Sequence, residues 1–312
     1  MLNRRNLIAA TALAVAALSP LAAPTQAWAQ AKWQDKYKGT DMVIAITPSE
    51  NAAGTVERYT GLANYLTRET GTPWVLKVVA DYAAAIEAQK AGSIHVVYYG
   101  PGSYVIARRV SNNGVEAFAT NQSQSGATGY YAVLWVKKAA PFQTIQDLKG
   151  KKLALVDPNS TTGNFAPRYF MDKAGIAVDT FFTNVVFGGS HENAIIALNN
   201  GTVDAAANWY NAPDDNNLAS MSRKGLVKID DFRVLWKSEL LAGAPYAYLT
   251  SIPDEGRKSI REAFYNMNTK DPAAFARLTD GKDRAFAPVS HKDYLDQEKM
   301  NDYIDALRKK RS

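Results

Sequence analysis

The chain has 312 residues, 36 Lys+Arg against 30 Asp+Glu, a formal charge of +6 and no cysteine. Without cysteine there are no disulfide staples, no thiol catalysis, no cysteine metal site and no lipid-anchored N-terminal cysteine. The mild positive charge is interspersed with acids, unlike the concentrated basic face of a nucleic-acid binder, and modestly favours anionic ligands.

In chain order, "MLNRRNLIAATALAVAALSPLAAPTQAWAQ" comes first, with Arg4 and Arg5 ahead of an apolar run from Leu7 to Leu18 and Ala27-Trp28-Ala29 at the cleavage position. This is the pattern of a secretory signal peptide over residues 1–29, and the paired arginines leave both the general and the twin-arginine export routes open. The apolar run is shorter than the ~20 residues that span a bilayer. Removing the leader leaves 283 residues with a formal charge of +4, enough for one large or two medium domains without staples.

The rest alternates. "MVIAIT" predicts a strand and "VERYTGLANYLTRETG" a helix stopped by Gly71. Then follow "WVLKVVA" (strand), "DYAAAIEAQKAG" (helix), "IHVVYYG" (strand), "SYVIARRVS" (helix) and "VEAFAT" (strand). After the long extended "YYAVLWVKK" the rhythm restarts: "KLALVD" (strand), "NFAPRYFMDKAG" (helix), "FFTNVVFGG" (strand), "HENAIIALNNG" (helix), "VDAAAN" (strand), a helix near Leu218–Gly225, then "FRVLWKS". "IPDEGRKSIREAFYNMNTKDPAAFARLT" reads as mostly helical, with a terminal extension resembling a clamp. Such alternation predicts mostly parallel sheets flanked by helices.

One internal comparison suggests two similar lobes. "DYAAAIEAQKAGSIHVVYY" aligns with "SHENAIIALNNGTVDAAAN", pairing Tyr82 with His191, Ala85-Ile86 with Ala194-Ile195, Gly92 with Gly201 and Ile94 with Val203. Each unit is a helix closed by glycine and a short turn into a strand. Tyr130–Lys138 and Phe232–Ser238 then read as crossovers forming a two-strand hinge. Lobe I is expected to hold 30–134 plus 239–312, and lobe II 135–238. In open α/β sheets ligands sit beyond the carboxyl ends of strands, where helices begin. Tyr82 and His191 are therefore expected on opposite walls of a shared cleft.

"DPNSTTG" supplies the chemistry. A helix start leaves several N–H groups unpaired and partially positive, and one Ser, Thr or Asn suffices to cap it. Ser160, Thr161 and Thr162 exceed that need, and Gly163 permits close backbone approach, so the segment reads equally as a capped turn or as an oxyanion nest. It is not a Walker A loop, which needs a lysine and other glycine spacing. His191 can cap a helix or, opposite an anion, donate a proton. No H-x-x-x-H or E-x-x-H spacing suggests a zinc site. In "GATGYYAVLWV", Gly126 and Gly129 give a flexible approach and Tyr130 emerges at the hinge; Tyr99, at a strand end in "VVYYGPGSY", is a further cleft candidate. Ser160 and His191 with Asp157, Asp204 or Asp214 can be written as a triad. The chain lacks the G-x-S-x-G elbow, however, so no catalytic residue and no enzyme activity is expected.

"ADYAAAI", "VVYYGPGSYV", "GATGYYAVL", "DPNSTTG", "GGSHENAIIALNNGTVDAA" and "VLWKSELLAGAP" together resemble the phosphate/phosphite/phosphonate family of periplasmic solute-binding proteins of ABC importers. The resemblance covers essentially the whole mature chain. It implies a two-lobed type II periplasmic-binding-protein fold of the α/β class, a binding protein in the periplasm that closes like a flytrap, and partnership with an ABC permease and its ATPase. No cofactor, metal or nucleic acid is implied; a monomer is expected because each lobe must move. The family's oxyanion ligands fall on Tyr82, Tyr130, Ser160, Thr161 and His191, with Thr162 added. In members similar to the aminoethylphosphonate binder two carboxylates hold the ligand's ammonium; by counting, those positions are Asn211 and Ala244 here, with Asp214 or Asp215 as substitutes if the loop is shifted. The implied ligand is a small phosphonate or phosphite-like oxyanion rather than aminoethylphosphonate. A sulfonate-type anion, or a secreted hydrolase, is the alternative.

Overall fold

The computed structural model describes residues 32–311, so the expected signal peptide at 1–29 lies outside the described residues. From Trp33 onward the chain clusters as one compact unit containing two sheets. The first lobe begins with β1 (Met42–Ile46), α1 (Ala52–Thr70), β2 (Trp74–Val78), α2 (Tyr82–Lys90), β3 (Val96–Tyr98), α3 (Pro101–Val110) and β4 (Val115–Ser123). The second lobe follows as β5 (Tyr131–Lys137), β6 (Lys152–Leu155), a π-turn (Thr161–Phe165) running into α4 (Ala166–Lys173), α5 (Val178–Phe181), β7 (Asn184–Phe187), α6 (His191–Asn199), β8 (Ala205–Ala212), β9 (Asp215–Asn216), α7 (Asn217–Arg223) and β10 (Phe232–Lys237). The chain then returns through β11 (Pro245–Leu249), α8 (Asp254–Lys270), α9 (Pro272–Thr279), β12 (Asp283–Pro288) and α10 (Leu295–Arg311).

The first sheet runs β12-β4-β11-β3-β1-β2 and the second β10-β5-β8-β6-β7, with β9 beside β8. In each, the three strands joined by helical crossovers are parallel: β1 with β2 and β3, and β6 with β7 and β8. The internal repeat has a three-dimensional counterpart. Helices α2 and α6 are nine residues each, capped by Asp81 and Ser190, and both lead through a left-handed glycine, Gly92 or Gly201, into β3 and β8. Burial explains the apolar runs: Met42, Ile44 and Ala45 of β1, and Leu153, Ala154 and Leu155 of β6, are wholly buried, as parallel strands covered on both faces require.

One expectation needs correction. The stretches expected as hinge strands, β5 and β10, pair with one another antiparallel inside the second sheet, so the 134/135 boundary falls within β5. β10 forms the sheet edge and β5 lies between β10 and β8, so neither crosses between the lobes. The crossing is shorter: Tyr130 N donates to Leu241 O at 3.1 Å and Leu241 N donates to Tyr130 O at 2.8 Å, a single bridge between the two connecting segments. The stretch read as mostly helical is α8 and α9, and the strands β11 and β12, on either side of it, were not foreseen.

Helix α10 lies across the rear of this crossing. Met300 and Ile304 pack with Ala132, Phe165 and Leu241 in a small apolar cluster. Asn301 Nδ2 donates to Gly102 O at 2.9 Å in the first lobe, and Tyr303 OH donates to Asp172 Oδ2 at 2.6 Å in the second.

Gly243 permits the closest approach of the two crossing segments, because a Cβ there would stand 1.9 Å from Thr128 O. A backbone oxygen cannot give way as a flexible side-chain end can. Gly243→Ala should therefore lower stability by ~1–3 kcal/mol through overpacking, read as an earlier midpoint in urea melts.

Candidate functional site

The carboxyl ends of the parallel strands feed helix starts that face one another between the lobes. From the first lobe come α2, whose cap Asp81 accepts from Ala84 N at 2.7 Å, and α3, whose N-cap is Gly100 without a side-chain cap. From the second come the π-turn before α4 and, after β7, helix α6. Ser160 caps the π-turn by accepting from Gly163 N at 3.1 Å, and Ser190 caps α6 by accepting from Asn193 N at 3.1 Å. The turn is π rather than α: Phe165 N reaches back to Ser160 O at 3.0 Å. Such wide turns recur at functional sites. Gly163 serves packing here, since a Cβ would lie 2.3 Å from Val156 Cβ; its close approach is to the end of β6.

A cavity of about 750 Å³ lies between the lobes, and Tyr82, Tyr130, Ser160, Thr161, Thr162 and His191 all line it. Ser160, Thr161, Thr162, His191 and Tyr82 are all buried. The Tyr82 hydroxyl is within hydrogen-bonding reach of Ser160 and Thr47, and the Tyr130 hydroxyl within reach of Thr161. Burial pushes both phenols well above their ordinary range, so both remain protonated donors. Thr161 Oγ1 accepts from Gly102 N at 2.8 Å, a contact from the second lobe to the first turn of α3. The two lobes therefore touch at the cavity wall.

His191 is the least satisfied of these groups. Its side chain is buried and Nδ1 has no hydrogen-bond partner. Burial drives its pKa down to about 4, against a small upward influence of Asn208, so the ring is neutral. A buried polar atom left unpaired costs ~1–3 kcal/mol, a deficit a ligand oxygen beside it can remove. Among the described residues no hydrogen bond joins Ser160 to His191, and a nucleophile–base pair of the triad kind is not formed.

Two further candidates also line the cavity but are engaged in other contacts. Tyr99 is fully buried with its ring in the first core, and its hydroxyl donates to Ala85 O at 3.4 Å. It nevertheless lines the cavity, just beyond the end of β3. Asn211 does line the cavity, but its Nδ2 donates to Asp215 Oδ2 at 2.8 Å. Ala244 lines it too, so both counted positions are on the wall and uncharged.

Asp214 and Asp215, named above as substitute carboxylates, lie on this wall, and the sequence reading missed a third carboxylate there, Asp283. Asp283, on β12, accepts from Asn121 Nδ2 at 2.6 Å, and burial pushes its carboxyl up to about 6, with Asp215 adding to the rise. Asp215 is likewise raised, chiefly by burial. Asp214 pairs with Lys282 at 2.7 Å, whereas among the described residues no salt bridge reaches Asp215 or Asp283.

A profile of the family described as "ABC transporter, phosphonate, periplasmic substrate-binding protein" matches residues 44–294. The chain belongs to this family. It is similar to the phosphate-import protein PhnD of Mycolicibacterium smegmatis, 25% identical over 268 residues, covering 81% of this chain and 82% of that one. It is 30% identical over 205 residues to the phosphonates-binding periplasmic protein of Escherichia coli K12, covering 64% of this chain and 58% of that one. A Prochlorococcus marinus (MIT 9301) structure, solved with methylphosphonate, superposes with a TM-score of 0.73 at 18% identity over 85% of this chain and 98% of that one. At that identity the match speaks to the fold, which is the two-lobed type II periplasmic-binding-protein fold.

The depressed His191 pKa has a defined sign. An unfolded imidazole at 6.5 takes a proton before the folded one at about 4, so stability present above the unfolded value is lost as pH falls between the two. His191→Gln should flatten the pH dependence of urea-melt stability over that interval by on the order of 3 kcal/mol.

Proposed function

We propose that this protein captures a phosphonate or a related small phosphorus oxyanion between its lobes and presents it, unreacted, to an ABC permease and its ATPase. The reading places the protein in the periplasm as a monomer, exported through the leader at 1–29. The observation that carries it is the buried His191, its Nδ1 unpartnered, in a cavity that hydroxyl donors from both lobes also line. In this reading Ser160, Thr161 and Thr162 donate from one side and Tyr82 and Tyr130 from the other, all as neutral groups. Hydrogen bonds to a charged group contribute ~1.5–3 kcal/mol each. Four to six of them, less closure and ordering costs, support binding in the range of about 1 μM or tighter.

Calorimetry with methylphosphonate, phosphite, phosphate and sulfate is the direct test. One-to-one binding of a phosphorus oxyanion without turnover is expected, with Thr161→Ala and His191→Ala each weakening it by at least about tenfold. Hydrolysis of a phosphate or acyl ester, lost in Ser160→Ala, would defeat the reading.

A second reading concerns the substituent on phosphorus. Asp215 and Asp283, unpaired by any described cation, lie on the wall of the same cavity, and beside them Asn121 Oδ1 is a buried acceptor with no donor. Their chemistry favours a substituent carrying hydrogen-bond donors, an ammonium above all. In that case aminoalkylphosphonates should bind more tightly than alkylphosphonates of equal length, and Asp283→Asn should erase the difference while leaving methylphosphonate affinity unchanged. Equal affinities across the two series in calorimetry would leave the first reading alone.

A further inference from the structure

The residue after His191 lines the same cavity but is engaged with the opposite lobe. Glu192 is 2% exposed and reaches across the cleft. Its Oε2 accepts from Asn51 N at 2.9 Å and from Asn51 Nδ2 at 3.1 Å, at the N-cap of α1 in the opposite lobe. Its Oε1 pairs with Lys224 Nζ at 3.1 Å, and Lys224 also pairs with Glu50 of the first lobe. Its backbone N donates to Ser49 O at 3.1 Å. One carboxylate thus occupies the N-termini of two helices, its own α6 and the facing α1, and both helix dipoles favour a negative charge there.

Around it run further pairs from lobe to lobe. Arg223 meets Asp280 at 3.0 Å, Lys282 meets Asp214 at 2.7 Å, and Arg58 Nη2 donates to Ser220 Oγ at 3.4 Å. These pairs are partly exposed and individually weak. Glu192 differs in being buried and in accepting two N–H bonds from the other lobe.

We infer that Glu192 is the closure latch of the cleft: a positioning residue on the cavity wall that locks α6 onto α1, so that the lobes stay shut around a ligand. The inference rests on the binding reading above for its ligand-dependent half. Adjacent residues of one helix then divide the work. His191 faces the ligand and Glu192 grips the opposite wall, so movement of α6 toward an anion also brings the latch to its partners.

The consequence is kinetic. Lost latch bonds destabilise the closed state only, leaving encounter with the open cleft unaltered and hastening release. A glutamine at 192 keeps shape and size but turns an N–H toward donors and gives up the charge that both helix ends favour.

The test uses the full exported chain. Because it has no cysteine, single cysteines replacing the exposed Glu57 and Lys228 can carry spin labels that report the lobe-to-lobe distance. In Glu192→Gln the ligand-free distance distribution should shift toward longer separations. Stopped-flow or surface-binding kinetics with methylphosphonate should show release about tenfold faster with association within about twofold. Asn51→Ser, which keeps a cap for α1 and removes only the Nδ2 donor, should move both readouts part of the way, and it stands in if Glu192→Gln fails to fold. An unchanged distance distribution, or release within twofold of the parent chain, overturns the latch. The distance measurement needs no ligand, so failure of every phosphorus compound to bind would defeat the functional reading and still leave Glu192 decided.

Discussion

Everything in this architecture turns on helix beginnings brought face to face and then shut away from water. Each helix start presents N–H groups that nothing in its own helix accepts. At the surface, water satisfies them; inside a closed cleft they become a liability. Asp81, Ser160 and Ser190 each satisfy one such group from their own side chain. The remaining polarity, including the hydroxyls of Thr162, Tyr82 and Tyr130, faces a shared cavity. None of these donors carries a net charge, His191 included. Selection in such a site rests on the number and placement of donors, because neutral dipoles hold an anion only where geometry lets several act together.

Closing the cleft draws on opposite faces of the molecule. At the rear the two connecting segments touch at one backbone bridge, Tyr130 with Leu241, and α10 spans both lobes behind it. At the front, ion pairs join α7 and its flanks to α1 and α9. The rear contacts include apolar packing and set an axis. The front contacts are polar, so water can replace them when they part, as an opening mouth requires. By its pairing, β5 belongs wholly to the second sheet.

Much of this was legible in the chain. Strand and helix periodicity recovered the parallel core of both sheets, because those strands are continuous apolar runs and their helices are punctuated by glycine. The hydroxyl surplus at 160–162 was legible because capping is local: three residues can be weighed against one helix start. The strands β11 and β12 were not, since "PYAYL" is as apolar as a buried helix segment and "DRAFAP" shows no alternation. Both take their identity from pairing with β4, far away in sequence. The same limit hid Glu192 and Asp283, whose partners stand 141 and 162 residues away. Tyr99, beside Tyr98 in "VVYYG", reaches the cavity wall while its ring packs in the first core, a double placement that only tertiary packing reveals.

The closed cleft also holds opposing terms. Burying a neutral imidazole with an unpartnered nitrogen works against closure, whereas the carboxylate beside it, satisfied from both lobes, works in favour. A binding protein that signals its loaded state needs these terms nearly balanced, because a ligand shifts the equilibrium only by its differential affinity for the closed form. A latch without the deficit at His191 would shut the empty cleft, and a deficit without the latch would demand that the ligand supply all the closing energy. Placing the two on consecutive residues of one helix ties them to the same movement, so that whatever relieves the histidine also seats the glutamate.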